Sequence, residues 1–331
     1  MTSLLTLEDV SVQLPIDGDL RPVLDGVGLS IGERETVGLV GESGSGKSMT
    51  ARAIARLLPA GGQASGRVMF DGADVFGFDA EQLRSFRSSD LGMVFQDPRA
   101  HVNPVRRIGD FMTEALRERG RDRAEAVRRA LEMLGEVGLG HDERILRQFP
   151  HELSGGMLQR VMIAAALATE PRVLLADEPT TALDVTTQAE IIAILERLQR
   201  DHRLAVLFIT HDLELAAATC DRICVMYAGR IVEVQDAEAL FRSPLHPYTA
   251  ALLASRPEVD HDRPIRAIPG RPISLFEAPP GCAFAPRCLY ATDESRAARP
   301  PLRPVAHGLS ACVRTEEILP ELAAGQGSTH V

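Results

Sequence analysis

Lysine is nearly absent from this sequence of 331 residues. Of the 36 basic residues, a single one is lysine, at position 47, and the others are arginine. A general excess of arginine indicates no function by itself. Lysine differs physically from arginine, however, because it carries a compact point charge rather than a wide planar fork. The surroundings of Lys47 therefore decide whether this one ammonium group has a function.

Three further shortages exclude classes of protein. Five cysteines do not make a disulfide framework in a chain of this length, and they favour a reducing compartment. Basic residues are fewer than the 46 acidic ones, and the net charge of −10 argues against a nucleic-acid binder, which needs basic patches. The longest apolar run, Val161–Ala168, has eight residues, whereas a membrane-spanning helix needs about 20. The first residues show no signal-peptide pattern, so we expect a cytoplasmic chain. Its length favours about two domains.

Proline divides the sequence into two parts. Residues 1–239 contain eight of the 21 prolines and residues 240–331 contain 13. The first part is therefore expected to be packed structure and the second a loop-rich extension, with a boundary near residue 236. Apolar runs that alternate with helical periodicity favour an α/β fold with a mainly parallel sheet. The stretch from about 97 to 170 is predicted to be a helical insertion between two strands of that sheet.

The individual elements follow from the same patterns. The predicted strands are Leu4–Val12, Thr36–Val40, Val68–Phe70, Leu91–Phe95, Val173–Ala176 and Val206–Thr210, with a hairpin formed by Ile223–Tyr227 and Arg230–Val234. The predicted helices are Met49–Leu58, Asp110–Arg119, Arg123–Val137 and Thr186–Arg200.

The lone lysine stands in a P-loop pattern, G-x-x-x-x-G-K-[ST], between a predicted strand and a predicted helix. Glycines in such a loop allow positive φ angles and leave room for successive N–H groups to approach phosphate oxygens. The following helix adds its positive N-terminal end. An ordinary Gly/Ser turn is the alternative, but the flanking elements and the lysine argue against it. The predicted phosphate-binding residues are Gly41, Glu42, Ser43, Gly44, Ser45, Gly46, Lys47 and Ser48.

Two adjacent acids follow the apolar run Val173–Ala176. Magnesium beside a P-loop is held partly by an acid at the end of a strand, and Asp177 stands at such a place. Glu178 comes one residue later, so its side chain should project differently and can face an attacking water molecule. A solvated start of a loop is the alternative for such a pair, and the P-loop upstream favours the functional interpretation.

Together with the P-loop, four further segments resemble the ATP-binding subunit of ABC transporters over roughly residues 4–235. Leu153–Gln159 resembles the ABC signature sequence, including Ser154, Gly155 and Gly156. Gln96 resembles the Q-loop glutamine, Ala182-Leu183-Asp184 the D-loop, and His211 the switch histidine. The resemblance implies a P-loop NTPase domain with a mainly parallel sheet, an antiparallel β subdomain and a helical subdomain.

A narrower resemblance is to the importers of oligopeptides, dipeptides and nickel. Phe95-Gln96-Asp97-Pro98 followed by Asn103-Pro104 is similar to the extended Q-loop of that branch. His246-Pro247-Tyr248-Thr249 followed by Leu252-Leu253 resembles its C-terminal extension. The domains implied are an ATPase domain over residues 1–235 and an extension with cysteines over residues 236–331.

The resemblance also implies a role for each site residue and a set of partners. Lys47 contacts the β- and γ-phosphates, while Ser48, Gln96 and, through water, Asp177 hold Mg²⁺. Glu178 activates water and His211 contacts the γ-phosphate, whereas Ser154, Gly155 and Gly156 act on ATP bound by the opposite subunit. The expected partners are a second ATPase subunit that is usually non-identical, two membrane permease subunits and an extracytoplasmic solute-binding protein, with this chain peripheral on the cytoplasmic face of the membrane.

Three features depart from the family pattern. Met157 stands where most families carry glutamine, which this branch tolerates. No aromatic residue occurs in residues 1–41 to stack on adenine, so preference for ATP over GTP is left open. Some relatives hold an iron–sulfur cluster with four tail cysteines; here Cys282, Cys288 and Cys312 match, but Ser295 stands at the fourth place. Four thiolates are the usual ligation, so we expect no stoichiometric cluster, leaving three reduced thiols or a small metal site.

Two rival functions predict features that the sequence does not have. A soluble ABC ATPase acting on DNA or ribosomes predicts a basic surface, a long coiled coil or two tandem ATPase domains. A P-loop kinase needs neither the signature sequence nor the tail. The expected function is therefore binding and hydrolysis of MgATP to power import of peptides or of a related small solute such as nickel.

Overall fold

The computed structural model describes residues 3–181, 183–255 and 267–324. The strands in these residues are β1 (Ser3–Ile16), β2 (Asp19–Gly32), β3 (Thr36–Val40), β4 (Gln63–Phe70), β5 (Ala73–Asp74), β6 (Leu91–Val94), β7 (Val173–Asp177), β8 (Ala205–Thr210), β9 (Arg222–Tyr227), β10 (Arg230–Asp236), β11 (Arg303–Val305) and β12 (Gly308–Ser310). The helices are α1 (Lys47–Ile54), α2 (Ala80–Ser85), α3 (Pro98–His101), α4 (Ile108–Glu118), α5 (Arg123–Glu136), α6 (Glu143–Arg147), α7 (Gly155–Ala168), α8 (Val185–His202), α9 (Leu213–Thr219), α10 (Ala237–Arg242), α11 (Pro247–Ala254), α12 (Asp293–Ala297) and α13 (Thr315–Ala324).

These elements divide between two compact units. The first unit comprises Met1–Leu5, Ile31–Thr36 and Phe70–Ile209, and the second comprises Thr6–Ser30, Val37–Met69 and Thr210–Val331.

In the first unit, β8, β7 and β6 are neighbours in a parallel sheet. Val94 of β6 is opposite Ala176 of β7, and Asp177 of β7 is opposite Ile209 of β8. Every residue of β7 and β8 is buried, which explains why both read as continuous apolar runs in the sequence. Because the strands are parallel, the residues that follow β6 and β7 leave the sheet at the same edge.

Helices α3 to α7 lie between β6 and β7 along the chain, as the sequence predicts for its helical insertion. Apolar faces of α4, α5 and α7 pack together, because each helix carries buried residues at helical spacing, including Met112, Met133 and Val161. Helix α5 begins where the Asp122 carboxylate accepts a hydrogen bond from the Glu125 N–H, which satisfies one amide of its first turn.

The second unit contains two groups of strands. In one, the order is β2-β1-β4; in the other, it is β11-β12-β10-β9-β3. Strand β3 pairs with β9 in parallel, and β10 pairs with both β9 and β12 antiparallel. The β11–β12 hairpin thus extends the sheet beyond β10. The Pro-rich extension therefore contributes strands to the sheet as well as loops and short helices.

The predicted hairpin of β9 and β10 is confirmed. Its two turn residues, Ala228 and Gly229, have φ angles of 43° and 74°, and a two-residue turn with both φ angles positive matches the twist of the strands. The α/β fold with parallel and antiparallel strands and a helical part is likewise confirmed. Among the described residues, no helix combines the length and the hydrophobicity that crossing a membrane requires.

Several elements differ from the sequence-based expectation. Strands β1 and β4 are longer than the predicted Leu4–Val12 and Val68–Phe70, and strand β2 and helix α1 differ more clearly. Strand β2 was not predicted, because Pro22, Gly26 and Gly28 interrupt its pattern, although Val27, Leu29 and Ile31 are buried at a spacing of two. Helix α1 covers Lys47–Ile54 rather than Met49–Leu58, so it begins two residues earlier and ends four residues earlier. It ends early because Arg56 adopts a φ of 51°, which a helix cannot continue through.

Candidate functional site

The predicted phosphate-binding loop, residues 41–48, connects β3 to α1 in the second unit. A Cβ atom at Gly41 would lie 2.1 Å from the Met226 carbonyl oxygen, and one at Gly46 would lie 2.6 Å from Leu24 Cδ2. Gly46 also has a φ of 110°, just before α1 begins at Lys47. Both positions therefore need glycine, and the loop ends at a helix N-terminus, which favours anions.

Lys47 lies inside this loop, with 4% of its surface exposed. Its Nζ donates hydrogen bonds to the carbonyl oxygens of Gly41 at 2.8 Å and Glu42 at 3.1 Å. The Ser45 hydroxyl is buried beside it and has no hydrogen-bond partner within the described part of the chain. A buried ammonium group and an unsatisfied hydroxyl in one glycine-rich loop fit a bound phosphate, which accepts hydrogen bonds from both.

In the first unit, Gln96 and Glu178 lie at the edge where β6 and β7 end. Gln96 Nε2 donates a hydrogen bond to Glu178 Oε2 at 3.0 Å, and the Thr181 hydroxyl donates to the same oxygen at 2.8 Å. The Glu178 backbone has a φ of 45° and its N–H donates to the Ile209 carbonyl oxygen. A non-glycine residue in this conformation costs about 1–3 kcal/mol, and other residues of the chain, such as Asp9 and Arg34, adopt it as well.

The other predicted site residues and the predicted D-loop have separate surroundings. Asp177 is the last residue of β7 and is 5% exposed. Asp184 begins α8, and the N–H and hydroxyl of Thr187 hold the pKa of its carboxyl below the usual value. Ala182, the first residue of the predicted D-loop, lies outside the described residues. His211 is in the turn between β8 and α9, where the next residue, Asp212, accepts hydrogen bonds from two amides of α9.

The segment Leu153–Gln159, which resembles the signature sequence, leads into α7 in the first unit. Exposed Ser154 precedes the helix, and its hydroxyl accepts a hydrogen bond from the Met157 N–H at 3.3 Å. A Cβ atom at Gly156 would lie 2.8 Å from Thr187 Cγ2, so a larger residue there would collide with α8. An accessible serine at the N-terminus of a 14-residue helix is suited to binding a phosphate group.

The three tail cysteines, Cys282, Cys288 and Cys312, line one small cavity together with Ser295. Burial raises the pKa of the Cys288 thiol to about 11, so the thiol is protonated at neutral pH. The Ser295 hydroxyl donates to the Thr292 carbonyl oxygen and accepts from the Thr292 N–H. In the described part of the chain, no three His, Cys, Asp or Glu side chains are placed to hold a metal. The absence of a stoichiometric cluster stays a prediction, which rests on the serine at the fourth place.

Sequence analysis did not predict the contacts that Thr181, Tyr248 and Arg287 make with predicted site residues. Thr181 has no distinguishing signal except its position three residues after Glu178. Arg287, in the C-terminal region, donates hydrogen bonds to both carboxylate oxygens of Glu42, 245 residues away in the chain. Nothing in the local sequence around Arg287 indicates this pairing.

Comparison with known proteins agrees with this geometry. Residues 24–181 match the family described as ABC transporter, and residues 232–294 match the oligopeptide/dipeptide transporter C-terminal region. The oligopeptide transport ATP-binding protein OppD of Escherichia coli strain K12 is 42% identical over 322 residues, which cover 96% of this chain and 95% of OppD. A putative peptide import ATP-binding protein of Brucella melitensis biotype 1 is 46% identical over 308 residues, which cover 88% and 91% of the two chains.

Solved structures with a similar fold are ABC cassettes. The dimeric structure of MJ0796, a bacterial ABC transporter cassette, matches with a TM-score of 0.63 and 31% identity, covering 70% of this chain and 98% of MJ0796. The same scores apply to its post-hydrolysis state bound to ADP and Pi. The long matches to ATP-binding proteins, the two family regions and the cassette fold lead to one conclusion: this chain belongs to the ABC transporter ATP-binding proteins that carry the oligopeptide/dipeptide transporter C-terminal region.

Proposed function

We propose that this chain binds and hydrolyses MgATP and thereby powers the import of peptides through an ABC transporter. The observation that carries the proposal is the hydrogen bond between Gln96 and Glu178, which holds a carboxylate at the end of a buried strand. The same chain also has a glycine-rich loop around a buried lysine. In phosphoryl transfer, positioning and charge stabilisation account for most of the catalysis. The Glu178 carboxylate serves the positioning, and the Lys47 ammonium serves the charge stabilisation.

The phosphate-binding loop holds the triphosphate. Lys47 exchanges its hydrogen bonds to the Gly41 and Glu42 carbonyl oxygens for bonds to the β- and γ-phosphates, which neutralises charge that develops during transfer. Ser48, Gln96 and, through water, Asp177 would hold Mg²⁺, which would supply positive charge to offset the charge of the phosphates. The buried Ser45 hydroxyl donates to a phosphate oxygen, which satisfies a group without a partner among the described residues.

Glu178 orients the attacking water molecule and accepts its proton. Gln96 and Thr181 donate to the same oxygen, Oε2, so they fix the rotation of the carboxylate relative to the backbone. The positive φ of Glu178 sets the direction in which its side chain leaves the strand. His211 contacts the γ-phosphate and completes the charge stabilisation. Together these groups fulfil the positioning that water attack on a phosphate requires.

Ser154, Gly155 and Gly156 complete the site of a second ATPase subunit. Ser154 is exposed at the beginning of α7, where its hydroxyl and the helix amides can reach a phosphate on another protein. The working unit is therefore a dimer that closes on ATP, with a second ATPase subunit that is non-identical. Its closure drives two membrane permease subunits, which receive peptide from an extracytoplasmic solute-binding protein, and this chain is bound peripherally on the cytoplasmic face of the membrane.

The experiment that tests this function is reconstitution of the chain with its permease and ATPase partners in proteoliposomes. We expect ATP hydrolysis that a peptide-loaded solute-binding protein stimulates, together with ATP-dependent accumulation of radiolabelled peptide. A nickel-loaded binding protein is the matched control for the transported solute. Hydrolysis stimulated by nickel but not by peptide would refute peptide import, and a failure to bind ATP would refute the ATPase function itself.

A further inference from the structure

Two residues of the C-terminal region hold Glu42, the second residue of the phosphate-binding loop. The Tyr248 hydroxyl accepts a hydrogen bond from the Glu42 N–H at 2.9 Å. Arg287 donates from two nitrogens to the Glu42 carboxylate, at 2.7 and 3.1 Å. Such a two-pronged contact fixes a carboxylate in direction as well as in distance. The C-terminal region is thus bonded directly to the loop that the sequence predicts to bind phosphate.

Arg287 is itself held from several sides. Its Nε donates to the Pro269 carbonyl oxygen at 2.7 Å, and its guanidinium lies over the rings of Tyr227 and Phe284. The side chain is 6% exposed, against 21% for that of Glu42. Arg287 is thus nearly removed from water, whereas the Glu42 carboxylate keeps some contact with solvent. Loss of Arg287 therefore leaves an uncompensated carboxylate that ions in solution can still reach.

Tyr248 is held as firmly. It is fully buried, and its ring packs against Tyr227 and Phe284 at centroid distances of 4.6 and 5.2 Å. Its N–H donates to His246 Nδ1, a contact that begins α11. The amides of Leu245 and His246, just before this helix, donate hydrogen bonds to the buried Glu233 carboxylate. The first turn of α11, which carries Tyr248, is therefore fixed by buried hydrogen bonds.

The contacts of Glu42 matter for the loop because all three of its polar groups are bonded. The third, its carbonyl oxygen, accepts from Lys47 Nζ. A shift of the Glu42 backbone therefore moves the carbonyl oxygen that accepts a hydrogen bond from the Lys47 ammonium group. An uncompensated carboxylate within the phosphate-binding loop would also repel the triphosphate, since like charges at short range oppose binding. Arg287 removes that repulsion and Tyr248 fixes the amide.

We propose that Tyr248 and Arg287 are positioning residues for the phosphate-binding loop: Tyr248 fixes its backbone at Glu42, and Arg287 neutralises the Glu42 carboxylate so that the nucleotide can bind. The proposal rests on the proposed function, because it assumes that the loop binds ATP. It gives the C-terminal region a direct part in nucleotide binding by its own chain.

The test compares Arg287→Gln, Tyr248→Phe and the double variant Arg287→Gln/Glu42→Gln in the assembled transporter. For Arg287→Gln we expect the KM for ATP to rise about tenfold with a smaller change in kcat, because a charge-assisted contact is lost. For Tyr248→Phe we expect a rise of about fivefold, because one hydrogen bond is lost. The double variant should return to within about threefold of wild type, because it has no carboxylate left to repel phosphate.

Salt dependence separates electrostatic repulsion from a general loosening of the fold. Between about 50 and 500 mM salt, the binding defect of Arg287→Gln for ADP should shrink, because ions screen charge repulsion. That of Tyr248→Phe should stay constant. One matched control is Arg303→Gln, which breaks a two-pronged pair with Glu316, at 2.6 Å for both contacts, elsewhere in the C-terminal region. The other is Tyr290→Phe, which changes the third tyrosine of the chain. Both should keep the wild-type KM.

Each outcome decides the proposal. A wild-type KM in both Arg287→Gln and Tyr248→Phe, in a wild-type transporter that hydrolyses ATP, overturns it and leaves the proposed function standing. A rise in KM that the Glu42→Gln change does not reverse also overturns the charge-neutralising role of Arg287. If a thermal unfolding measurement shows that Arg287→Gln is not folded, Tyr248→Phe and the double variant decide in its place. A wild-type chain that binds no ATP refutes the proposed function instead.

Discussion

Replacement of Glu178 by glutamine tests the reaction with the smallest change in structure. Glutamine has the same shape, and its carbonyl oxygen can accept the hydrogen bonds that Gln96 and Thr181 now donate to Oε2. The positive φ of 45° is as costly for glutamine as for glutamate, so backbone strain is unchanged. The substitution therefore removes the negative charge and the proton acceptor while it keeps the local geometry.

The magnitude follows from what is removed. A positioned general base contributes about 10²–10⁴-fold to the rate. We therefore expect kcat for Glu178→Gln to fall by this factor, which corresponds to about 3–5 kcal/mol of transition-state stabilisation. Nucleotide affinity should stay within about threefold of wild type or improve, because a neutral side chain repels the triphosphate less. The free energy of unfolding should change by less than about 0.5 kcal/mol.

The assay is phosphate release by the assembled transporter, with ATP binding measured separately by equilibrium titration. Glu132→Gln, a change of a half-exposed acid on α5, is the control for the loss of one negative charge and should keep wild-type kcat. Wild-type phosphate release by Glu178→Gln would refute the role of Glu178 as the base. An equal loss of binding and turnover would show instead that Glu178 contributes to nucleotide binding.

Three further predictions concern the lysine, the signature sequence and the tail. Lys47→Arg should weaken nucleotide binding about 10- to 100-fold, nearly as much as Lys47→Ala. The reason is that a planar fork does not fit between the two carbonyl oxygens that now accept hydrogen bonds from Lys47 Nζ. Wild-type affinity of Lys47→Arg in a titration with ADP would show that any positive charge suffices. Ser154→Arg should leave ATP binding by this chain unchanged but prevent its nucleotide-driven association with the second ATPase subunit, measured by gel filtration of the two subunits with ATP; normal association would contradict the role of Ser154 on the partner. Anaerobically purified protein should contain no stoichiometric iron or sulfide, because the Ser295 hydroxyl is bonded to Thr292; about four irons per chain would prove this wrong.

Much of the architecture could be predicted because its causes are local. Strand β3, the strands β7 and β8, helix α5 and the β9–β10 hairpin follow from apolar runs, helical periodicity and a two-residue turn. The ends of elements were less predictable. Helix α1 ends at Ile54, where Arg56 turns to a positive φ, although the apolar pattern continues to Leu58. Periodicity describes which face is buried but does not contain the backbone angle that ends a helix.

The candidate site divides in the same way. The phosphate-binding loop could be predicted from the sequence, because the spacing of its glycines around a lysine is a local pattern that spans eight residues. The tertiary structure alone decided that Thr181 bonds to Glu178, and that Tyr248 and Arg287 bond to Glu42 across 206 and 245 residues of chain. Side-chain pairs at such separations depend on how whole elements pack, and no local pattern of residue types records that packing.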